Sequence, residues 1–415
     1  MLECPEFGYV WRKMRIFVIG GAARSLINFR GTLLKSMIAR GHEVVACAPD
    51  ASVEIKSELA QMGCLYREVP LSRAGINFLK DVKTFFVLFW LFCREQPDAV
   101  LTYTAKPVIW GCIAARIARI PTSYSMITGL GYAFTHERVF KQKLVRRIVC
   151  ALYRIALSRV RVVFFQNPDD QREFQARGLI KNSTQCILIN GSGVDTYHFT
   201  PESLPETPVF LLMARLVADK GIREYREAAR LLRCKYPRAR FLLAGGFDSN
   251  PNAVGRKEIG RWQEEGDIEY LGRLEDVRPT LAKIRVYVLP SYYREGTPRS
   301  ILEAMSAGRP VITTDWPGCR ETVERLGDTG MSECRNAENF SRRVESFGNG
   351  GGRILRGTNG FLVPVKDSGA LAEAMEKFIE QPGLAETMGR QSRRIAEEKY
   401  DVHKVNRVIL EAMGA

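Results

Sequence analysis

The sequence predicts two α/β domains in series, each a doubly wound parallel sheet with helices on both faces. Three observations predict it. Short apolar runs that read as buried strands alternate with segments of three-and-four apolar spacing that read as helices, the rhythm of βαβ units. That rhythm breaks at residues 198–208 (HFTPESLPETP), a proline-rich linker, and then starts again. A length of 415 residues, at about 150 per domain, makes two or three domains, each able to bury a core without disulfide or metal.

The first strand is RIFVIGG (15–21), ending in a glycine turn, and SLINFRGTLLKSMIARG (25–41) follows as one helix closed by Gly41. HEVVACAP is the second strand. DAVLTYT (98–104) is another, followed by the helical VIWGCIAARIAR, and RVVFFQN (161–167) another. Beyond the linker, VFLLMARL (209–216), ARFLLAGG (239–246), RVYVLPS (285–291) and RPVITTD (309–315) are buried-strand patterns, each with a turn and a helix behind it. The pattern fails between Glu324 and Gly357, where GNGGG (348–352) marks a flexible surface insertion, residues 327–356. Residues 391–413 read as two amphipathic helical pieces around 399–401. The expected organisation is an extension (1–13), a first domain (14–200), a second domain (201–390) and C-terminal helices (391–415) packed back on the first domain.

Composition narrows the classes. With 46% hydrophobic and 26% charged residues, the chain is neither disordered, collagenous nor polytopic. Ten cysteines include no C-x-x-C pair, so neither a zinc site nor a disulfide framework is suggested and the reduced cytoplasm is expected. The opening MLECPEFGYVWRK lacks the apolar core of a secretory signal. The longest apolar run, FFVLFWLFC (85–93), has nine residues where a membrane span needs about 20, and it is expected in the core.

The net charge of +15 sits mainly in residues 1–200, which hold 27 Lys/Arg against 15 Asp/Glu; the remainder holds 34 against 31. Such asymmetry points to an anionic partner for the first domain: a membrane surface, a phosphorylated substrate or nucleic acid. Residues 138–161 concentrate it, with Arg138, Lys141, Lys143, Arg146, Arg147, Arg154, Arg159 and Arg161 and no acid, among apolar residues at helical spacing. An in-plane helix binds an anionic membrane in this way; the same apolar face would equally pack on a sheet. Lys141, Lys143, Arg146 and Arg147 are the candidate membrane or acceptor contacts. No nucleic-acid module or aromatic platform is readable, so nucleic acid is not an expected partner.

Two segments carry chemistry. In SYYREGTPRSILEAMSAGRPVITTD (291–315), Thr297 and Pro298 fit an N-cap and first helical residue. Gly296 lets a ligand approach the helix start, a place for phosphate or a sugar hydroxyl. Glu303 lies further inside the helix, placed to accept from a ribose diol, while Glu295 could hold hydroxyls of a second sugar; both glutamates would equally suit a helix start with no ligand. In LLMARLVADKGIREY (211–225), Arg215 ends a strand and Lys220 precedes Gly221 at the turn into a helix, so two cations can neutralise a diphosphate. A glycosidase reading of the two glutamates leaves both cations unexplained.

Taken together these segments resemble the retaining glycosyltransferases of family four, with GT-B architecture: two Rossmann-like domains facing across a cleft. The resemblance rests on Glu295 and Glu303, separated by seven residues within EGTPRSILEAMSAGRPVI, on Arg215 and Lys220 upstream, and on NGFLVPVKD (359–367) downstream. NGSGVDTYHFTP (190–201) and the opening glycine turn followed by Phe29, Arg30 and GHEV complete it. It runs from about Met14 to the C-terminus, the insertion excepted.

The resemblance implies that Arg215 and Lys220 bind the diphosphate of a nucleotide sugar, that Glu303 takes the ribose, and that Glu295 takes the donor sugar beside backbone amides at Gly296 and Thr297. It implies that Gly20 and Gly21 form the first-domain turn approaching donor phosphate and acceptor, and that Gly245, Gly246, Arg273 and Leu274 line the donor and base pocket. Many members carry a histidine in the loop corresponding to MITGLGYAF (126–134); here none is present, and His136 follows. The text ITGLGY resembles the branch that extends sugars on a polyprenyl diphosphate. The implied activity is transfer of a hexose or N-acetylhexosamine from a UDP-sugar to a lipid-linked or glycan acceptor in surface polysaccharide (O-antigen) synthesis, at the inner face of the plasma membrane. The chain has no Asp-x-Asp, so no metal cofactor is expected. The competing reading is an NAD(P)-dependent oxidoreductase, since GGAARS after a strand echoes a dinucleotide turn, although G-x-G-x-x-G is incomplete.

Overall fold

The computed structural model describes residues 12–71, 78–131, 134, 140–248, 252–326 and 354–415. His136, Arg138, most of the opening extension and most of the 327–356 insertion fall outside them, as do the side chains of residues 78, 79 and 140–142. Packing divides the chain into two units: the first takes residues up to Gly193 with Arg294–Thr297 and Val402–Ala415, and the second takes Val194–Tyr293 and Pro298–Asp401.

The sheet of unit 1 has seven parallel strands: β1 (Arg15–Ile19), β2 (Glu43–Ala48), β3 (Leu65–Glu68), β4 (Ala99–Tyr103), β5 (Thr122–Ile127), β6 (Val162–Phe165) and β7 (Gln185–Leu188), in the order β3-β2-β1-β4-β5-β6-β7. Its central strands read as unbroken apolar runs because helices cover both faces. Ile16–Ile19, Ala99–Leu101 and Val162–Phe165 are buried. Each such large side chain contributes about 1.5–3 kcal/mol relative to exposure. The helices are α1 (Ala23–Asn28), α2 (Gly31–Ala39), α3 (Val53–Gln61), α4 (Phe78–Glu95), α5 (Ala105–Ile117), α6 (Phe140–Ala156) and α7 (Pro168–Ala176).

Two expectations are corrected here. The single helix expected over 25–41 is two, because Arg30 leaves helical geometry (φ −127°, ψ −5°) and its buried guanidinium lies 5.1 Å from the Tyr103 ring centre. The apolar run 85–93 is only half core. Leu88, Leu91 and Phe92 face the sheet, whereas Phe86 and Trp90 are 60% and 58% exposed.

Unit 2 repeats the architecture with β8 (Val209–Met213), β9 (Arg240–Ala244), β10 (Glu269–Tyr270), β11 (Val286–Leu289), β12 (Val311–Thr314), β13 (Leu355–Arg356) and β14 (Gly360–Val363), ordered β10-β9-β8-β11-β12-β14-β13. All pairs are parallel except β13 with β14, so the end of the 327–356 segment is a strand rather than loop. The unit's helices are α8 (Ile222–Lys235), α9 (Arg256–Glu264), α10 (Arg278–Ala282), α11 (Arg299–Ser306), α12 (Ser368–Glu380) and α13 (Pro382–Lys399); α14 (Val402–Met413) groups with unit 1, packed on α2. Helix α11 starts one residue later than expected. Pro298 occupies the cap position, and the Thr297 hydroxyl donates to the Gln166 carbonyl (3.0 Å) instead of capping.

Candidate active site

In a doubly wound sheet, ligands bind beyond the carboxyl ends of the strands where the strand order reverses. In unit 2 that point lies between β8 and β11. Arg215 follows β8 by two residues, and Ser291–Tyr293 follow β11, so both loops leave the sheet at the switch point. Gly221 joins them: it adopts φ +74°, and a Cβ there would run into the Pro290 carbonyl. The Tyr292 amide donates to the Asp219 carbonyl (2.9 Å), fixing the turn that carries Lys220. We expect Gly221→Ala to lower stability by about 1–3 kcal/mol, the scale of a strained left-handed residue, read as a fall in Tm.

Two cations meet on one ring at this point. Lys220 is buried, with Nζ 5.4 Å from the Tyr293 ring centre, and the Arg215 guanidinium lies 6.0 Å from the same ring. Arg215 Nη1 also donates to Asp248 Oδ2 (2.8 Å). A buried ammonium is costly without compensation, and an aromatic face supplies part of it. Tyr293 and Asp248 were not foreseen from the sequence: Asp248 is 33 residues from Arg215, and no spacing rule joins them.

Gly245 and Gly246 follow β9, and Arg273 and Leu274 follow β10, at the same edge of the sheet. Gly245, at φ +152°, leaves no room for a Cβ against the Ala214 carbonyl. Gly246 accepts from the Leu216 amide (3.1 Å), and a Cβ on it would meet Arg273 Cδ at 3.8 Å. Leu274 packs partly on the core. On α11 the half-buried Glu303 accepts from Arg299 Nε (2.9 Å); burial pushes its carboxyl pKa up while Arg299 pulls it down.

The switch point of unit 1 lies between β1 and β4. Gly20 and Gly21 follow β1, beside Tyr103, which ends β4, and Thr104, which precedes α5. A Cβ on Gly20 would strike the Tyr103 phenol, and one on Gly21 would lie 2.8 Å from Thr104 Oγ1. Tyr103 shares a 2.8 Å hydrogen bond with Ser25 Oγ, and burial pushes its pKa to about 12, so the phenol stays neutral. The glycines thus clear a floor of hydroxyls.

Glu295 belongs to unit 1 by packing. Its loop is bonded along its length: the Gly296 amide donates to the Thr128 carbonyl (3.0 Å), the Gly131 amide to the Arg294 carbonyl (2.8 Å), and Asn167 Nδ2 to the Glu295 carbonyl (3.4 Å). Gly129, at φ +114°, has the Glu295 backbone where a Cβ would stand. Arg294 Nη2 reaches the buried Asp170 (3.2 Å), whose pKa burial raises to about 6 against the pull of Arg294. The Gly296 amide, expected to face the donor, is therefore engaged by Thr128. Asn167 and Asp170 are further residues the sequence reading did not select.

Residues 29–191 match the glycosyl transferase 4-like domain, and residues 207–349 match the glycosyl transferases group 1 domain. The chain belongs to the family-four glycosyltransferases. It is 29% identical over 345 residues to the N,N'-diacetylbacillosaminyl-diphospho-undecaprenol α-1,3-N-acetylgalactosaminyltransferase of Campylobacter jejuni, across 80% of this chain and 88% of that one. It is 27% identical over 287 residues to the UDP-Gal:α-D-GlcNAc-diphosphoundecaprenol α-1,3-galactosyltransferase of Escherichia coli, across 66% and 72% of the two chains. Among solved structures, Anabaena HepE in complex with UDP superposes with a TM-score of 0.69 at 19% identity, across 96% and 99% of the two chains, which shows the GT-B fold. The family match sets the oxidoreductase reading aside. In this glycosyltransferase, residues 29–191 of the first match lie within unit 1 and most of residues 207–349 of the second lie within unit 2.

Proposed function

We propose that this glycosyltransferase moves a hexose or N-acetylhexosamine, with retention of configuration, from a UDP-sugar to a sugar carried on a polyprenyl diphosphate during synthesis of a surface polysaccharide. The observation that carries the reading is the pair of cations, Arg215 and Lys220, held on Tyr293 at the switch point of the second sheet. Both curated relatives act, by name, on undecaprenyl-diphosphate-linked sugars, and HepE was solved with UDP.

In this reading unit 2 binds the donor. Arg215 and Lys220 take up charge as the diphosphate departs, an electrostatic contribution that is largest in the transition state. Glu303 turns from Arg299 to the ribose diol, Gly246, Arg273 and Leu274 border the base, and Glu295 with the Thr297 amide orients the sugar, the Gly296 amide being taken by Thr128. Unit 1 presents the acceptor near Gly20 and Gly21, and the leaving phosphate itself accepts the acceptor proton. Among the described residues no three His, Cys, Asp or Glu side chains gather as a metal site. We expect turnover to survive excess EDTA; complete loss that magnesium restores would refute cation-only charge stabilisation. A screen of UDP-sugars for slow hydrolysis without acceptor tests the donor assignment, with one UDP-hexose or UDP-N-acetylhexosamine preferred.

In this reading the enzyme works at the cytoplasmic face of the membrane, where it meets its lipid-linked acceptor. No described helix is long and apolar enough to cross it. Helix α6 supports peripheral attachment. Its Tyr153 and Ala156 are buried, whereas Leu144, Ile148 and Ile155 are outward (53%, 44% and 49% exposed), and Lys143 and Arg147 on the same helix are exposed with them. Arg146 is half-buried instead, and the Lys141 side chain lies outside the described residues.

A further inference from the structure

We infer that α4 is a second, apolar membrane foot: Phe86 and Trp90 enter the boundary between headgroups and acyl chains while Arg94 reaches lipid phosphate. The inference rests on the reading that the acceptor is membrane-carried, and it names an element that reading does not use.

The helix is amphipathic in an unusual sense. Its inner side, Thr84, Leu88, Leu91 and Phe92, is closed against the sheet. On the opposite side Lys83, Phe86, Trp90 and Arg94 follow one another at three- and four-residue spacing, all exposed. The Arg94 guanidinium lies 5.1 Å from the Trp90 ring centre. A tryptophan next to an arginine suits an interface, because the indole prefers the headgroup level and the guanidinium pairs with phosphate.

The neighbouring helices extend the same surface. α4 packs on α5 and α5 on α6, so the three form one layer over the sheet of unit 1. That layer bears Phe86, Trp90, Ile117, Leu144, Ile148 and Ile155, each at least 44% exposed. Single exposed apolar residues are ordinary, but six in one layer mark a contact surface. Its charge selects the partner. The three helices contain only two acids, and both are engaged: Asp81 accepts from Lys106 (2.8 Å) and Glu95 from Arg67 (2.6 Å). An apolar surface whose two acids are both paired and which carries the exposed cations Lys83, Arg94, Lys143 and Arg147 fits an anionic bilayer.

The two feet should differ in salt dependence, since ion screening weakens Lys143 and Arg147 but not the burial of Phe86 and Trp90. The test is sedimentation of the full chain with vesicles of phosphatidylcholine and phosphatidylglycerol in equal parts, across a series of NaCl concentrations. Phe86→Ser with Trp90→Ser should weaken partitioning about tenfold by a factor that persists at high salt. Lys143→Gln with Arg147→Gln should weaken it by a factor that shrinks as salt rises. Brominated lipid should quench the emission of the wild type more than that of Trp90→Phe. All four positions are on the surface, so Tm should hold in every variant. If the wild type binds but the α4 variant binds equally and Trp90 is not quenched, the α4 foot is wrong and the α6 reading stands. If the wild type binds neither these vesicles nor phosphatidylcholine alone, both fall. Self-association lost in the α4 variant, without quenching, would make the surface an interface between copies and overturn the inference.

Discussion

Lys220→Ala and Arg215→Ala should each lower kcat by about 2–4 kcal/mol in activation free energy, roughly 30- to 1,000-fold, the scale of one lost donor in a preorganised electrostatic site. The fold should survive both. Arg215 is 55% exposed, so its removal costs little packing. Lys220 is buried, yet the turn that carries it is held by backbone: the Tyr292 amide to the Asp219 carbonyl, and Gly221 against Pro290. Lysine at position 215 should rescue only in part, because it replaces a fork that can pair with Asp248 and a diphosphate by a point charge. Tyr293→Leu should give a smaller loss of the same kind, since it takes away the ring shared by both cations. Near-wild-type turnover in both alanine variants, at unchanged Tm, would remove the basis for the donor site.

Glu303→Ala should weaken UDP binding about ten- to a hundredfold, the range of one or two hydrogen bonds to a charged acceptor, with a smaller effect on kcat. Glu295→Ala should do the reverse, leaving UDP affinity near wild type while lowering turnover and relaxing the choice of sugar. The pH dependence has a definite sign. Burial raises the Glu303 pKa, so on acidification this carboxyl takes its proton above the ordinary carboxylate range and loses acceptor capacity for the diol. UDP affinity should therefore fall on the acid side, and Glu303→Gln should flatten that limb. Calorimetric titration of UDP against both variants checks each statement; identical affinity in all of them would dismiss the ribose role.

The strands nearest the switch points were legible in the sequence because central parallel strands are buried on both faces. Residues 16–19, 99–101 and 209–213 are unbroken apolar runs in strands with glycine or a turn behind them. Edge strands were not: β3 and β7 mix polar and apolar residues over four positions, and β13 is two residues long. The break between α1 and α2 was hidden because the spacing of 25–41 is helical throughout; a tertiary contact, Arg30 on Tyr103, overrides it. Of the candidate site, Arg215, Lys220, Glu295 and Glu303 could be named because motif spacing carries them. Tyr293 and Asp248 could not, since their relation to the cations exists only once β8, β9 and β11 lie side by side. The exposed side of α4 was misread for a similar reason. Composition marks nine apolar residues alike, and only the packed sheet shows which of them it covers.

The most direct test of the account supplies the enzyme with a panel of UDP-hexoses and UDP-N-acetylhexosamines and a polyprenyl-diphosphate-linked monosaccharide, and measures UDP release together with the extended glycolipid. The account predicts that one donor gives UDP release strongly accelerated by the lipid-linked acceptor, in step with a disaccharide product whose new bond keeps the donor's anomeric configuration. Release unaffected by the acceptor, with no extended lipid from any donor in the panel, would contradict it.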